Sequence, residues 1–448
     1  MVKFRLKNIG LLYDEVVELN NFTLICGQNN TGKTYITYSI YGFLSIWKNL
    51  IKFNISNRVL DELYKNGFTT INISMYYKDI KNILKNLSNK YTRNLFNIFS
   101  VEEEFFKNSI FEVEIENFEL NLSDEFRMSL SSTKKDIIDI SKDQNSENLN
   151  ISILLDEKTK IPSFIIKKAI NEALGKIIFG KYFKRPFIVT SERSGISLFY
   201  KELDISKNVI VEHLTKKNID PFEIIKETVS RYALPIKHNI DYIRDIEHVT
   251  KQKSFLYNDK NIDKYFADIL YGKYKFMNNE LYFIPKKSKS RLPIYFSSSS
   301  VKSLLELFFY IKYTAKKGDL LIIDEPELNL HPNNHILLTR LLVYLINQGI
   351  DILITTHSDY IVKECNNLIR LNFKLSDKEK ILKKYKYKEF DKIDYSKIGV
   401  YINNFGHLDK VKVTKMGMEI KTFDDVIINL SNAIDDIYFN IEDRNEYI

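Results

Sequence analysis

The chain has 448 residues, 44% apolar and 28% charged, the composition of an ordinary globular protein with core material for about two or three domains. Its 66 basic and 58 acidic side chains leave a net charge of +8, which permits a nucleic-acid partner without demanding one. The two cysteines, Cys26 and Cys365, lie far apart in apolar surroundings, and there is neither a signal-peptide core nor an apolar run of about 18 residues, so a disulfide framework, a Cys-based zinc site and a membrane span are excluded and a reducing cytoplasm is expected.

In chain order, Val2, Phe4 and Leu6 alternate with Lys3, Arg5 and Lys7, the period-two pattern of a strand with one wet face. A second strand is expected from Tyr13 to Leu19, joined through Gly10. Phe22 to Cys26, apolar but for Thr23, reads as a buried strand that meets a polar, glycine-bounded loop. From Lys33, the residues Ile36, Ile40, Phe43, Leu44 and Trp47 recur at helical spacing. Residues 1–47 thus make a small antiparallel entry into an α/β sheet.

Residues 48–181, rich in Lys, Asn, Ile and Phe, offer amphipathic helical windows and read as a helical insertion, with a polar loop or tip over Asp136 to Asn150. Residues 182–280 form a return segment in which FIVTSERSG, from Phe187, is a strand running into a turn. From 281 to 370 a short strand at Leu281 to Ile284 precedes the basic loop PKKSKSRLP. Val301, Leu304, Leu305, Phe308 and Ile311 then mark one helical face ending near Gly318. Leu320 to Ile323 is a buried parallel strand. A helix from about Asn334 to Asn347 closes at Gly349, and a strand from Asp351 to Thr355 leads to a helix capped by Ser358 or Asp359. Strand and helix alternating in this way imply a parallel sheet with crossovers. The tail, 371–448, carries the basic stretch KEKILKKYKYK, strand-like residues from Val400 to Ile402, and an amphipathic helix behind Thr422 with Phe423, Val426, Ile427, Leu430 and Ile434 on one face.

The loop Gly27-Gln28-Asn29-Asn30-Thr31-Gly32-Lys33-Thr34 fits G-x-x-x-x-G-K-[ST] and sits after an apolar strand and before a helix, where the mechanism needs it. Glycines let successive N–H groups, from Asn29 through Tyr35, point at phosphate oxygens, and the helix N-terminus adds a favourable field. Lys33 suits the β- and γ-phosphates of ATP, and the Thr34 hydroxyl suits Mg²⁺. The partner carboxylate comes from LLII-Asp324-Glu325, in which Asp324 can reach the metal and Glu325 can polarise water. His357 follows the next apolar strand in ILITTHSD, in reach of a γ-phosphate or its attacking water. Ser297 to Ser300 open the helix that begins near Val301, an arrangement suited to an anion. Lys33 and Asp324 are 291 residues apart yet must serve one site, so the expectation is two adjacent strands of one sheet and a chain that leaves the sheet between them.

With these elements in view, the chain resembles the ABC-type ATPase heads of the SMC, RecF and OLD (overcoming lysogenization defect) kind, and among them the OLD-like stand-alone ATPases of bacterial anti-phage systems such as Septu and PARIS. GQNNTGKT is similar to the family's Walker A, LLIIDEPELNLHP to its Walker B with the following D-loop region, and TTHSD to its switch histidine. The resemblance implies an α/β ABC-type head with a large, mainly helical insertion. It also implies Lys33 and Thr34 on phosphate and Mg²⁺, Asp324 on Mg²⁺, Glu325 as catalytic carboxylate and His357 as γ-phosphate sensor. The serine run aligns with the signature motif, which in such heads touches nucleotide bound by the opposite protomer. The usual glycine is Ser300, and the trans contact is open among Ser298, Ser299 and Ser300. No separate Q-loop glutamine stands out, with Glu192 or Arg193 in its place.

Function is therefore expected as an ATPase that dimerises around ATP and controls a separately encoded effector in anti-phage defence. The other expectation is a RecF- or SMC-like clamp that maintains DNA without a toxic partner. Lys286, Lys287, Lys289 and Arg291 beside the signature helix suit contacts to DNA or RNA phosphates in either case. Fused OLD nucleases carry a metal-binding Asp-x-Asp pair after the ATPase, and this chain has none there, so nuclease activity in the same chain is not expected.

Overall fold

The computed structural model describes residues 1–448 except 132–135, 155–160, 200–231, 278–279, 289 and 441–448, and the side chains of 136 and 421–427. Lys289 of the basic run therefore lies outside the described residues, as do the side chains that begin the terminal helix.

The first strands form as their patterns require: β1 (Val2–Ile9), β2 (Leu12–Glu18) and β3 (Phe22–Gly27), then α1 (Lys33–Leu50). The insertion supplies α2 (Asn57–Asn66), β4 (Phe68–Asn72), α3 (Ile80–Thr92), α4 (Leu95–Phe99), β5 (Ile110–Ile115), β6 (Phe126–Ser131), β7 (Asp136–Lys142), β8 (Asn148–Ile153) and α5 (Ser163–Phe179). Its helices are joined by strands that the sequence reading had not separated out. β5 adds to β1 as a third antiparallel strand, and β4, β8, β7 and β6 make a sheet of their own.

The stretch read as a loop from Asp136 to Asn150 is a correction, because it holds β7 and the first half of β8. Ile138, Ile140, Leu149 and Ile151 alternate into the core, while the positions between them are half-buried in β7 (Asp139) and exposed in β8 (Asn150) and carry polar side chains. The polar residues 143–147 are the connection between the two strands.

The head continues with β9 (Pro186–Val189), α6 (Arg193–Phe199), α7 (Leu234–Arg244), α8 (Ile246–Thr250), α9 (Lys260–Leu270), β10 (Gly272–Met277), β11 (Glu280–Pro285) and β12 (Leu292–Pro293). Next come α10 (Ser299–Ser303), α11 (Leu305–Phe309), β13 (Leu320–Asp324), α12 (Pro332–Asn347), β14 (Asp351–Thr356) and α13 (Asp359–Arg370). The tail adds α14 (Lys378–Tyr385), β15 (Ile398–Asn404), β16 (His407–Val411) and α15 (Lys421–Phe439). The single helical face expected from Val301 to near Gly318 is broken at Leu304 (φ −100°, ψ 0°) and ends in a π-turn over Tyr310–Thr314. The terminal helix starts at Lys421 behind Ile420, one residue before the expected cap Thr422.

The main sheet has the order β16-β15-β3-β14-β13-β9, parallel throughout except for β16. One expectation changes here. β14 lies between β3 and β13, so the Lys33 and Asp324 strands are not neighbours. β15 of the tail pairs with β3, so the tail completes the head sheet. Alternation along the central strands divides their side chains between two cores: Ile25, Ile322 and Leu353 pack with α1 and the insertion, whereas Leu24, Ile323, Ile352 and Ile354 pack with α12 and α13. Burial on both faces is why these strands read as continuous apolar runs.

Candidate functional site

The site lies at the C-terminal edge of the parallel strands, where β3, β14 and β13 end side by side. Gly27 has φ 155°, and a Cβ there would come within 2.6 Å of the Asn403 carbonyl on β15, so a side chain would push the two strands apart. Gly32 caps α1 at φ 102°, a backbone conformation that side chains resist. Between them Asn29 and Asn30 form the exposed tip, and the Thr31 hydroxyl donates to the Gln28 carbonyl at 2.9 Å. Among the described residues, no backbone amide from Asn29 to Gly32 donates to a main-chain carbonyl. A row of free donors at a helix N-terminus fits phosphate oxygens.

Lys33 is buried and its Nζ donates to the carbonyls of Gly27 (3.0 Å) and Gln28 (2.6 Å). Burial is the main cause that lowers its pKa, opposed by the carboxylates nearby. Tyr35 does not join the cradle through its ring, which lies against Gly10 and Phe99, the latter at 5.6 Å between centroids. Its backbone N–H donates to the Gly32 carbonyl at 3.1 Å.

Asp324, 1% exposed, ends β13. Thr34 Oγ1 donates to its Oδ2 at 2.9 Å, and Thr355 of β14 donates to its Oδ1. The strand inserted between β3 and β13 thus supplies a hydroxyl to the same carboxylate, and α1 reaches across it. Burial pushes the Asp324 pKa up to about 6 despite these two bonds. Hydroxyl and carboxylate oxygens held together beside a phosphate-binding loop are the hard donors Mg²⁺ takes, and a cation there would offset the burial of the carboxylate.

Glu325 has φ 51°, an uncommon conformation for a residue with a side chain, stabilised by its N–H donating to Oγ1 (3.1 Å) and the carbonyl (3.2 Å) of Thr355. His357 Nδ1 lies 3.7 Å from Glu325 Oε1 and 3.4 Å from Glu327 Oε1. Its interaction with His357 lowers the Glu325 pKa, and the same interaction raises that of His357, so each favours the charged form of the other. Glu327, buried, also accepts from Thr356 Oγ1 (2.7 Å) and the His357 amide (2.8 Å) and so fixes the loop that carries His357. Sequence reasoning missed Glu327, Thr355 and Thr356. The signal was there in two threonines ending an otherwise apolar strand and a second glutamate two residues after the first.

The remaining positions divide. Glu192 is exposed and accepts from the Tyr38 hydroxyl at 3.1 Å, one helical turn beyond Thr34. Arg193, its neighbour, is buried and turned to the backbone carbonyls of Asp324 and Glu325. Ser298 caps α10, accepting from the Val301 amide at 3.4 Å, and its hydroxyl lies 3.0 Å from that of Ser300. Ser298 and Ser299 are exposed, and among the described residues none of these serines hydrogen-bonds to the Gly27–Thr34 loop.

A phosphate-binding loop joined to an acidic strand end across one parallel strand defines a P-loop ATPase head of mixed α/β architecture with a large insertion. The chain belongs to the AAA ATPase domain family, whose pattern matches residues 1–362, and it binds and hydrolyses ATP. That family is coarser than the OLD-like kind which the motifs resemble. No curated protein matches the chain. Solved structures similar to it include the SmcHead bound to the C-winged helix domain of ScpA, with 12% identity, 91% of this chain and 96% of that one covered, and a TM-score of 0.34. Another is the SMC head domain from Thermotoga maritima, at 12%, 92%, 98% and 0.31 in the same order. A third is the Smc head domain with an extended coiled coil bound to the C-terminal domain of ScpA derived from Pyrococcus furiosus, at 14%, 96%, 100% and 0.32. Among the described residues no helix is long and apolar enough to cross a membrane.

Proposed function

We propose that ATP is hydrolysed with Lys33 and the loop amides on its phosphates, Thr34 and Asp324 on Mg²⁺, Glu325 as the base that takes a proton from the attacking water, and His357 beside the γ-phosphate. The observation that carries this reading is the 2.9 Å bond from Thr34 to Asp324, which closes a separation of 290 residues in sequence. Mg²⁺, when bound, would neutralise charge on the phosphate oxygens. Glu325 is ionised at neutral pH and so has an open proton site, and the adjacent His357, which lowers its pKa, keeps it in that form. Ser298 and Ser299 face solvent, which suits a contact made on a second copy of the chain, in a dimer that closes over two nucleotides.

For the biological role, the clamp that works on DNA is the reading we favour, because Lys286, Lys287 and Arg291 are all exposed on the loop that leads into the serine helix. Control of a separate effector in anti-phage defence is the second reading. It is favoured by α15, which exposes Ile428, Leu430, Ile434 and Ile437 as a surface another protein can cover.

The catalytic proposal is tested with Lys33→Ala and Glu325→Gln. Calorimetry should find no MgATP binding by the first variant. The second should bind normally and accumulate as an ATP-held dimer, while turnover falls by about 100-fold or more. Near-normal binding by Lys33→Ala, or unchanged turnover by Glu325→Gln, would remove the residue from its role. Charge reversal at Lys286, Lys287 and Arg291 separates the two biological readings. It should weaken salt-sensitive duplex binding if the clamp reading holds, whereas a chain that binds no nucleic acid at any salt concentration leaves the effector reading.

A further inference from the structure

Arg193 opens α6 and is 1% exposed, yet among the described residues it forms no ion pair with a carboxylate. Its guanidinium is used on main-chain carbonyls. Nη1 donates to Thr190 (3.1 Å) and Asp324 (2.8 Å), Nη2 to Glu325 (2.6 Å), and Nε to Ser303 (3.0 Å). These acceptors belong to three separate places: the end of β9, the acidic end of β13, and the last turn of the serine helix α10. A second contact follows the same route, since Ser197 of α6 donates to the Lys302 carbonyl at 3.2 Å.

Two of the acceptors sit where the backbone departs from regular structure. Ser303 precedes the break at Leu304, and Glu325 is the left-handed residue at φ 51°. Two of the four carbonyls also accept a main-chain N–H, Thr190 from Arg193 at 3.3 Å and Glu325 from Leu328 at 3.0 Å, and the guanidinium takes a further lone pair of each. The rigid, planar fork of an arginine spreads five donors over three nitrogens and so reaches acceptors on separate elements, whereas the three donors of a lysine all leave one nitrogen. One turn further on, Glu306 is fully buried, and neither of its side-chain oxygens has a hydrogen-bond partner among the described residues. Burial pushes its pKa up to about 8, with Arg193 the leading charge acting the other way. The charge of Arg193 is therefore not committed to pairing Glu306, and its directed bonds go to the backbone.

We propose that Arg193 is a positioning residue for ATP hydrolysis, which locks the backbone of Glu325 to the last turn of the serine helix so that a displacement of α10 moves the catalytic carboxylate. A second copy of the chain that engages Ser298 to Ser300 would then alter the geometry of Glu325 without touching it. The inference rests on the reading of Glu325 as the base. If Glu325→Gln keeps its turnover, that reading fails, whereas this one fails on its own where Glu325→Gln is inactive and the Arg193 variants are not.

The experiment uses the full-length chain with Arg193→Lys and the double variant Arg193→Gln/Glu306→Gln, which removes both buried charges and so guards against a failure to fold. Turnover is normalised to the number of MgATP-binding sites found by calorimetry, so that unfolded protein does not count. Both variants should bind MgATP within about threefold of the unmodified chain, and kcat per site should fall by about 30-fold, the size of one lost charged hydrogen bond acting on the reacting geometry. Hydrogen exchange on adding MgATP should change protection at both 299–305 and 323–328 in the unmodified chain, and only at 323–328 in the variants. If the double variant recovers full turnover, Arg193 serves only to balance the charge of Glu306. The proposal is equally overturned if the two segments still respond together.

Discussion

Glu306→Gln offers a quantitative test of how the head tolerates a buried acid. In the folded chain its carboxyl has a pKa of about 8, against 4.5 for the free side chain, with burial as the main cause. Because the folded pKa is the higher one, the native state holds the proton over a range where the unfolded chain has released it. The group therefore favours folding below about pH 4.5, and its contribution is lost progressively as pH rises to about 8. At 1.36 kcal/mol per pH unit, the penalty relative to acid is about 1 kcal/mol at pH 5, about 3 at pH 7 and about 5 at pH 9. Glutamine keeps the shape and carries no charge. Its own burial cost is the same at every pH, so the difference between the two proteins isolates the titration. The assay is denaturant unfolding of both proteins at pH 5, 7 and 9 without nucleotide, with the stability advantage of the variant expected to grow by several kcal/mol across that range. Parallel pH profiles would refute the reasoning and would mean that Glu306 is paired or hydrated in solution.

Two further outcomes follow from the geometry. Glu327→Ala leaves the Thr356 hydroxyl and the His357 amide without their acceptor, at a cost of about 2–4 kcal/mol; thermal unfolding should report the loss, turnover should fall with it, and Glu327→Gln, which keeps an acceptor, should recover most of both. A mixture of Lys33→Ala with a chain in which Ser298, Ser299 and Ser300 are all replaced by aspartate should regain turnover that neither has alone. In a random equimolar mixture about a quarter of the unmodified rate is expected, since about half of the dimers are mixed and each has one intact composite site.

What could be read in the sequence, and what could not, follows from where each property is determined. The loop from Gly27 to Thr34 was legible because its conformations, φ 155° at Gly27 and 102° at Gly32, tie the residue type to the backbone locally. Buried parallel strands were legible because two apolar faces leave no polar alternation in Leu320 to Ile323. Lateral order was not. No pattern in the chain says that β14 enters between β3 and β13, or that β15, after the basic stretch of the tail, pairs with β3. β7 and β8 were hidden because their solvent faces contribute as many polar residues as a loop would. Arg193 was visible in the motif TSERSG, but its acceptors are carbonyls, and a carbonyl is present at every position of any sequence. Its role depends on where 190, 303, 324 and 325 are brought together, which is a property of the fold.

The same interdependence explains why one lysine governs the whole cradle. The Lys33 ammonium is held by two carbonyls of its own loop, those of Gly27 and Gln28, and so braces the turn it belongs to. On the proposed reading, ATP would exchange these neutral acceptors for anionic phosphate oxygens, adding an opposite charge to bonds whose donor is already ionised. Affinity would then be a difference between two bonded states of the same ammonium, helped by amides from Asn29 to Gly32 that, among the described residues, have no main-chain acceptor to give up. Burial acts in the same direction, because it destabilises the cation in the free loop, as its lowered pKa records, and an anion relieves that cost. Removing the side chain loses the phosphate contact and the brace together, and this is why alanine at position 33 should abolish binding where loss of a phosphate contact alone would only weaken it.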